Sequence, residues 1–120
     1  MPKTVLIVED EFLIALDLTL VLEKRGWSVL GPVASIEAAL RLLDGETPAV
    51  ALLDVNLMDG PVTLVAEVLR AKNVPFVVAS AHSRPEIVGG DVLIGAPNVG
   101  KPTDEHRLLI ALEQSLNSSL

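Results

Sequence analysis

The sequence contains no cysteine and no tyrosine, and its aromatic residues amount to two phenylalanines and one tryptophan. Without thiols, neither a disulfide framework nor a cysteine-metal centre can hold the chain together. Positive charge is scarce as well, with 9 Lys and Arg against 16 Asp and Glu and a formal net charge of −7. Binding to nucleic acid by counterion release needs clustered Lys and Arg, so nucleic acid is excluded as an expected direct partner. Long hydrophobic runs are also missing. The longest, Phe12 to Leu22, is interrupted by Asp17 and Thr19 and falls short of the roughly 20 residues that cross a bilayer. The start Met1-Pro2-Lys3-Thr4 meets Glu9, Asp10 and Glu11 too early to be a signal peptide. The expected location is the cytoplasm, with no membrane partner.

What remains is a 120-residue chain, 50% apolar and 21% charged, which reads as one globular domain over residues 1–120. A chain of this size buries on the order of two thirds of its unfolded surface, so one core can sustain it.

From Thr4 to Val8 the residues are β-branched or aliphatic without alternation, the pattern of a strand buried on both faces of a parallel sheet. Ser28 to Val33, Ala49 to Leu53 and Phe76 to Ala79 are similar short runs, bounded by Gly or Pro. Helices are expected between them. Phe12 to Arg25 ends at Gly26, and Ser35 to Leu43 has Ser35 as N-cap and Asp44-Gly45 to close it. Pro61 to Lys72 is a third helix, with Pro61 suiting its first turn. Thr103 to Leu116 is a fourth, with Thr103 as cap and Asp104 and Glu105 near the positive end of its dipole. Alternating strands and helices make a three-layer α/β domain. Between His82 and Gly100, Pro and Gly recur; a short helix over Pro85 to Val88 and a last strand over Pro97 to Gly100 are expected, with Asp91 to Ile94 the other candidate for that strand.

Ligands of an open parallel sheet sit beyond the carboxyl ends of its strands. The first strand ends in Glu9-Asp10-Glu11, the third in Asp54 with Asn56 two residues on, the fourth in Ser80-Ala81-His82, and a later segment in Lys101-Pro102. Acidic residues after strands often cap helices, which is an alternative for Asp10. Asp54 differs, because it ends the apolar run Ala49-Val50-Ala51-Leu52-Leu53 and precedes Val55, where an Asp without a task would be costly to desolvate. If the first and third strands are neighbours, Glu9, Asp10 and Asp54 converge and repel unless a cation joins them. Oxygen-only donors favour a hard ion such as Mg2+, and a hydroxyl from Ser80 with the ammonium of Lys101 suits the pocket to a phosphoryl group.

Val8-Glu9-Asp10-Glu11, Leu53-Asp54-Val55-Asn56-Leu57, Pro75-Phe76-Val77-Val78-Ala79-Ser80 and Lys101-Pro102, in this order, resemble the receiver domain of two-component response regulators over essentially the whole chain. The Asp54-to-Gly60 loop and the Pro75-Phe76 start of the fourth strand look like alphaproteobacterial single-domain receivers with a Phe-Ala-Thr-Gly-type motif, which here reads Val78-Ala79-Ser80-Ala81-His82. The resemblance implies a flavodoxin-like, doubly wound five-stranded parallel sheet of order 2-1-3-4-5 in an α/β/α sandwich. It also implies Asp54 as phosphoacceptor for a histidine kinase or histidine phosphotransferase. Asp10, Asp54 and the backbone carbonyl of Asn56 would hold Mg2+, with Glu9 acting directly or through water. Lys101 would pair with phosphoryl oxygens, and Ser80 would move to hydrogen-bond one of them. Asn56 and His82 would flank the water that hydrolyses the phosphoaspartate and so set its lifetime. Where the family usually has an aromatic switch residue, three positions before the lysine, this chain has Asn98. Either the switch works without an aromatic or Ser80 moves a loop instead.

The first helix carries more apolar residues than one buried stripe needs. Ile14, Leu18, Val21 and Leu22 form one side and Phe12, Leu13, Leu16 and Leu20 another. The resemblance turns the first set inward and leaves the second as a partner surface, for the helical bundle of a kinase or phosphotransferase or for a homodimer. As a single receiver the chain would act through a downstream protein target or pass its phosphoryl group onward.

Three other functions fit parts of the sequence. Gly95-Ala96-Pro97-Asn98-Val99-Gly100-Lys101 fits the start of a nucleotide-binding P-loop, but Pro102 stands where Ser or Thr would reach the metal. A Mg2+-dependent phosphohydrolase using Asp54 would need an acid nearby, which Asn56 does not supply. A non-phosphorylated binding module would keep the fold without needing Asp10, Asp54 and Lys101 together.

Overall fold

The computed structural model describes residues 3–118. In chain order it has β1 (Thr4–Val8), α1 (Phe12–Lys24), β2 (Ser28–Val33), α2 (Ile36–Gly45), β3 (Val50–Asp54), β4 (Asn56–Leu57) and β5 (Gly60–Pro61). There follow α3 (Thr63–Ala71), β6 (Phe76–Ala79), the single turn α4 (Glu86–Gly89), a 3-10 turn over Asp91–Leu93, and α5 (Glu105–Ser118).

The main sheet has the order β2-β1-β3-β6, with every pair parallel. Successive side chains of a strand point to opposite faces, so a sheet covered on both sides demands apolar residues at every position. Leu6, Val8, Ala51, Leu53 and Val78 face α2 and α3, where Ala39, Leu43, Val65 and Leu69 complete one core. Val5, Ile7, Val50, Leu52 and Val77 face the other way, onto Leu18 and Leu22 of α1, Leu108 and Leu112 of α5, and Trp27. This is the flavodoxin-like α/β/α arrangement. No helix among the described residues is long and apolar enough to cross a membrane.

The fifth strand is the main correction. Its place beside β6 is taken by the Pro97–Gly100 segment, but pairing is confined to one bridge at Val78 and Asn98, with Val78 N–H on Pro97 O and Val99 N–H on Val78 O, both at 2.8 Å. Pro97 has no N–H to donate, Gly95 turns at φ +88, and Ala96 N–H is already bound to Leu93 O, so no ladder extends below the bridge. Asp91–Leu93 is a 3-10 turn, which excludes the strand considered there.

Pro61 does not open α3. It pairs with Asn56 in a β4-β5 hairpin turned by Met58-Asp59 and Gly60, whose φ is +132, and α3 begins after Val62, whose N–H returns to Val55 O at 2.9 Å. Nor does Thr103 cap α5: its hydroxyl donates to Gly100 O, while the Asp104 carboxylate accepts Arg107 N–H, both at 3.0 Å. Ser35 does cap α2, accepting Ala38 N–H at 3.1 Å, and the helix runs two residues further than expected, to Gly45.

The N-terminus of α2 has a second, non-local cap. The carboxylate of Asp59, at the hairpin tip, accepts Ile36 N–H at 3.0 and 3.1 Å and Glu37 N–H at 3.4 Å. The bond from Ile36 foremost, helped by that from Glu37 and opposed by partial desolvation, holds the Asp59 carboxyl below its ordinary pKa. A carboxyl depressed on folding contributes stability that is present above its unfolded pKa, about 4, and lost as pH falls through the folded value. Asp59→Ala is therefore expected to lower the urea midpoint at pH 7, with the difference from wild type disappearing in strong acid. An equal difference at both pH values would contradict the cap.

Candidate functional site

The carboxyl ends of the central strands bring together side chains from three segments. β1 leads into Glu9 and Asp10, β3 ends on Asp54, and the bridged segment delivers Lys101. Carboxylate oxygens of Glu9, Asp10 and Asp54 all lie within 4.8 Å of one another. Lys101 Nζ reaches Glu9 Oε1 at 3.0 Å and Asp54 Oδ2 at 3.2 Å. Glu9, only 3% exposed, also accepts Glu11 N–H at 3.0 Å, and Asp54 Oδ1 accepts Val55 N–H at 2.8 Å. Burial alone would pull the Lys101 ammonium down; the hydrogen bond to Glu9 and the charges of Asp54 and Glu9 outweigh it and hold its pKa above the ordinary lysine value. The ammonium pairs with two of the three carboxylates, Glu9 and Asp54, so the cluster with Asp10 retains negative charge. Its donors are all oxygen, which suits a hard divalent cation.

Asp10 is not a helix cap, because α1 starts after Glu11 without any side-chain cap. Ser80 follows β6, in which Ala79 stands opposite Asp54; it is buried, with its hydroxyl oxygen accepting His82 N–H at 3.1 Å. Asn56 and His82 are exposed, Asn56 at the first residue of β4 and His82 in the loop after β6. Gly95 to Lys101 does not form a phosphate-cradling loop, since no helix starts at its end and Lys101 points back to Glu9 and Asp54.

On α1 the two apolar sides separate as expected. Leu18 and Leu22 are buried, with Ala15 beside them, and Ile14 and Val21 are half-buried. Phe12 and Leu13 are each 75% exposed, Leu20 57% and Leu16 42%. Beside this face a hollow of about 260 Å³ lies between Leu13, Asp17 and the Lys101-Pro102-Thr103 turn. A larger one, about 640 Å³, lies at the opposite end of β6 between Arg70, Phe76, Pro97 and Gln114, where the fifth strand fails to extend and no pocket carboxylate reaches.

The residue that sequence reasoning left without a role is Asn98. Its Oδ1 accepts Ser80 N–H and Gly100 N–H, both at 3.0 Å, and its Nδ2 donates to His82 O at 2.9 Å. The bond to Gly100, two residues on, is the local turn habit of Asn and was legible; the bonds to Ser80 and His82 were not.

With this geometry in place, comparison with known proteins is decisive: the profile of the response regulator receiver domain matches residues 5–113. The chain belongs to that family. The receiver is 32% identical over 89 residues to the transcriptional regulatory protein PdtaR of Mycobacterium tuberculosis, a match covering 72% of this chain and 43% of PdtaR. It is 32% identical over 92 residues to the phyllosphere-induced regulator PhyR of Methylorubrum extorquens, covering 74% of this chain and 34% of PhyR. The match thus spans less than half the length of either relative. The crystal structure of a response regulator receiver protein from Sinorhizobium medicae superposes with a TM-score of 0.86 at 25% identity, covering 99% of this chain and 98% of the other.

Proposed function

We propose that this receiver accepts a phosphoryl group onto Asp54 from a phosphohistidine of a histidine kinase or histidine phosphotransferase, and that a downstream protein reads the result. The observation that carries this is Asp54 held at a strand end between the Lys101 ammonium and the carboxylates of Glu9 and Asp10.

In the reaction an Asp54 carboxylate oxygen attacks phosphorus, the O–P bond forms as the N–P bond breaks, and the imidazole leaves with a proton from solvent. Asp10, Asp54 and the Asn56 carbonyl would hold Mg2+, with Glu9 alongside. The ion, when bound, offsets charge on the phosphoryl oxygens. Lys101 stabilises the same charge from the other side, so the protein acts by positioning and charge neutralisation. Ser80 supplies a hydroxyl to a phosphoryl oxygen, and Asn56 and His82 govern access of the water that ends the signal. The chemistry in this scheme is limited to self-phosphorylation and autodephosphorylation, so the chain acts as a carrier of state. The exposed face Phe12, Leu13, Leu16 and Leu20 receives the helical bundle of the phosphodonor, with self-association of α1 as its rival.

Incubation with acetyl phosphate and Mg2+ followed by intact-mass spectrometry tests the chemistry. One phosphoryl adduct is expected, lost when Mg2+ is omitted and lost in Asp54→Ala. An adduct that persists in Asp54→Ala would move the acceptor elsewhere. No adduct from acetyl phosphate or from a kinase would leave a binding module with the receiver fold.

A further inference from the structure

Ser80 and Lys101, the two groups that would close on a phosphoryl group at Asp54, come from different loops, and one side-chain amide joins those loops. Asn98 Oδ1 accepts from the backbone N–H of Ser80 itself and from that of Gly100, the residue before Lys101. Its Nδ2 donates to the carbonyl of His82, whose own N–H is bound to Ser80 Oγ. The amide orientation is fixed by this network, since the reverse would set an NH2 group against two N–H donors. The backbone around Asn98 is equally tied down, by Pro97 O and Val99 N–H to Val78 and by Asn98 O accepting from Arg107 Nη2 of α5 at 3.3 Å.

We infer that Asn98 is a positioning residue which couples Ser80 to Lys101: it sets their spacing across Asp54 and carries a displacement of the Ser80–His82 turn into Gly100, Lys101 and the start of α5. This rests on the phosphoacceptor reading above. A pull on Ser80 by a phosphoryl oxygen acts on Asn98 at two points, Ser80 N–H and His82 O. The same Oδ1 that holds Ser80 holds Gly100, so the lysine loop moves with it. A polar clamp thus links the Ser80 and Lys101 loops in a chain with no tyrosine and few aromatic residues.

Two variants separate the roles of the amide. Asn98→Ala removes every side-chain bond. Asn98→Asp keeps an oxygen for the two N–H donors but turns a second oxygen on the His82 carbonyl, breaking that link alone. The rate of Asp54 phosphorylation by saturating acetyl phosphate with Mg2+ is expected to fall about tenfold or more in Asn98→Ala, the scale of one or two lost hydrogen bonds, and to stay close to wild type in Asn98→Asp. In wild type, Mg2+ with beryllofluoride, a phosphoryl mimic, should shift the backbone amide resonances of Ser80, Gly100 and Arg107. In Asn98→Ala the shift should remain at Ser80 and be lost at Arg107, while Gly100, next to Lys101, keeps only the part that Lys101 itself transmits. An alanine variant with the wild-type rate and the wild-type spread of shifts overturns the inference, as does an aspartate variant as slow as alanine. A wild-type chain that takes neither phosphoryl group nor beryllofluoride instead sinks the phosphoacceptor reading. The clamp is then judged by amide hydrogen exchange at Ser80 and Gly100: about tenfold faster exchange in Asn98→Ala upholds it, and unchanged exchange rejects it.

Discussion

Lys101→Met is expected to slow phosphorylation of Asp54 by about 10² to 10³-fold, the usual effect of deleting one preorganised charge-stabilising donor, while Mg2+ binds more tightly than to wild type. Both follow from the same contacts. The Lys101 ammonium lies 3.0 Å from Glu9 and 3.2 Å from Asp54, so in the proposed transfer it would meet negative charge developing on the phosphoryl group and, before transfer, would compete with a cation for these carboxylates. Methionine keeps the length of the side chain and removes the charge, leaving three carboxylates to be neutralised by the metal alone. Mg2+ titration by calorimetry, beside the acetyl phosphate rate, separates this from a merely structural role. If metal affinity and rate fell together, Lys101 would be a prop for the pocket, and an unchanged rate would remove it from the chemistry.

The sequence was most readable where physical demands were strongest. A strand covered on both faces must be apolar throughout, so β1, β3 and β6 stand out from any amphipathic segment, and Asp54 stands out because it interrupts such a run. The convergence of Glu9, Asp10 and Asp54 followed from strand ends alone once β1 and β3 were neighbours; Lys101 reaches them from the bridged segment beside β6.

Where two structures share one local preference, the residues gave less. Pro61 suits the first turn of a helix, but the same fixed φ and missing N–H also suit a short hairpin strand, and the return of Val62 N–H to Val55 O decides for the hairpin. Thr103 and Asp104 are both good cap residues; the choice fell to Asp104 because the Thr103 hydroxyl is engaged with Gly100 O. The fifth strand was obscured by the Gly and Pro residues that keep it to a single bridge. Asn98 and Asp59 act over long sequence separations, 18 residues to Ser80 and 23 to Ile36. No periodicity or local motif encodes such a bond; only the folded topology creates it.

The two apolar sides of α1 differ in burial, and a pair of leucine substitutions six residues apart should show whether they differ in duty. Leu22 is fully buried in the core that also holds Trp27. Leu22→Ala is expected to destabilise the domain by about 2 to 5 kcal/mol through lost transfer energy and the cavity left behind, a large part of the roughly 5 to 15 kcal/mol that such domains possess. Trp27, the single tryptophan, packs in the same cluster and reports the unfolding midpoint by its fluorescence. Leu16, by contrast, is 42% exposed, so Leu16→Glu should leave the stability within about 0.5 kcal/mol of wild type. It should nonetheless abolish phosphotransfer from the cognate kinase, because a carboxylate desolvated in an apolar helix contact has no partner there, while acetyl phosphate still labels Asp54 at the normal rate. Normal kinase transfer to a stable Leu16→Glu protein would show that the face Phe12, Leu13, Leu16 and Leu20 serves something other than the phosphodonor. Loss of both labelling routes would mean that the substitution reaches the pocket itself, through the hollow that Leu13 and Asp17 share with Lys101.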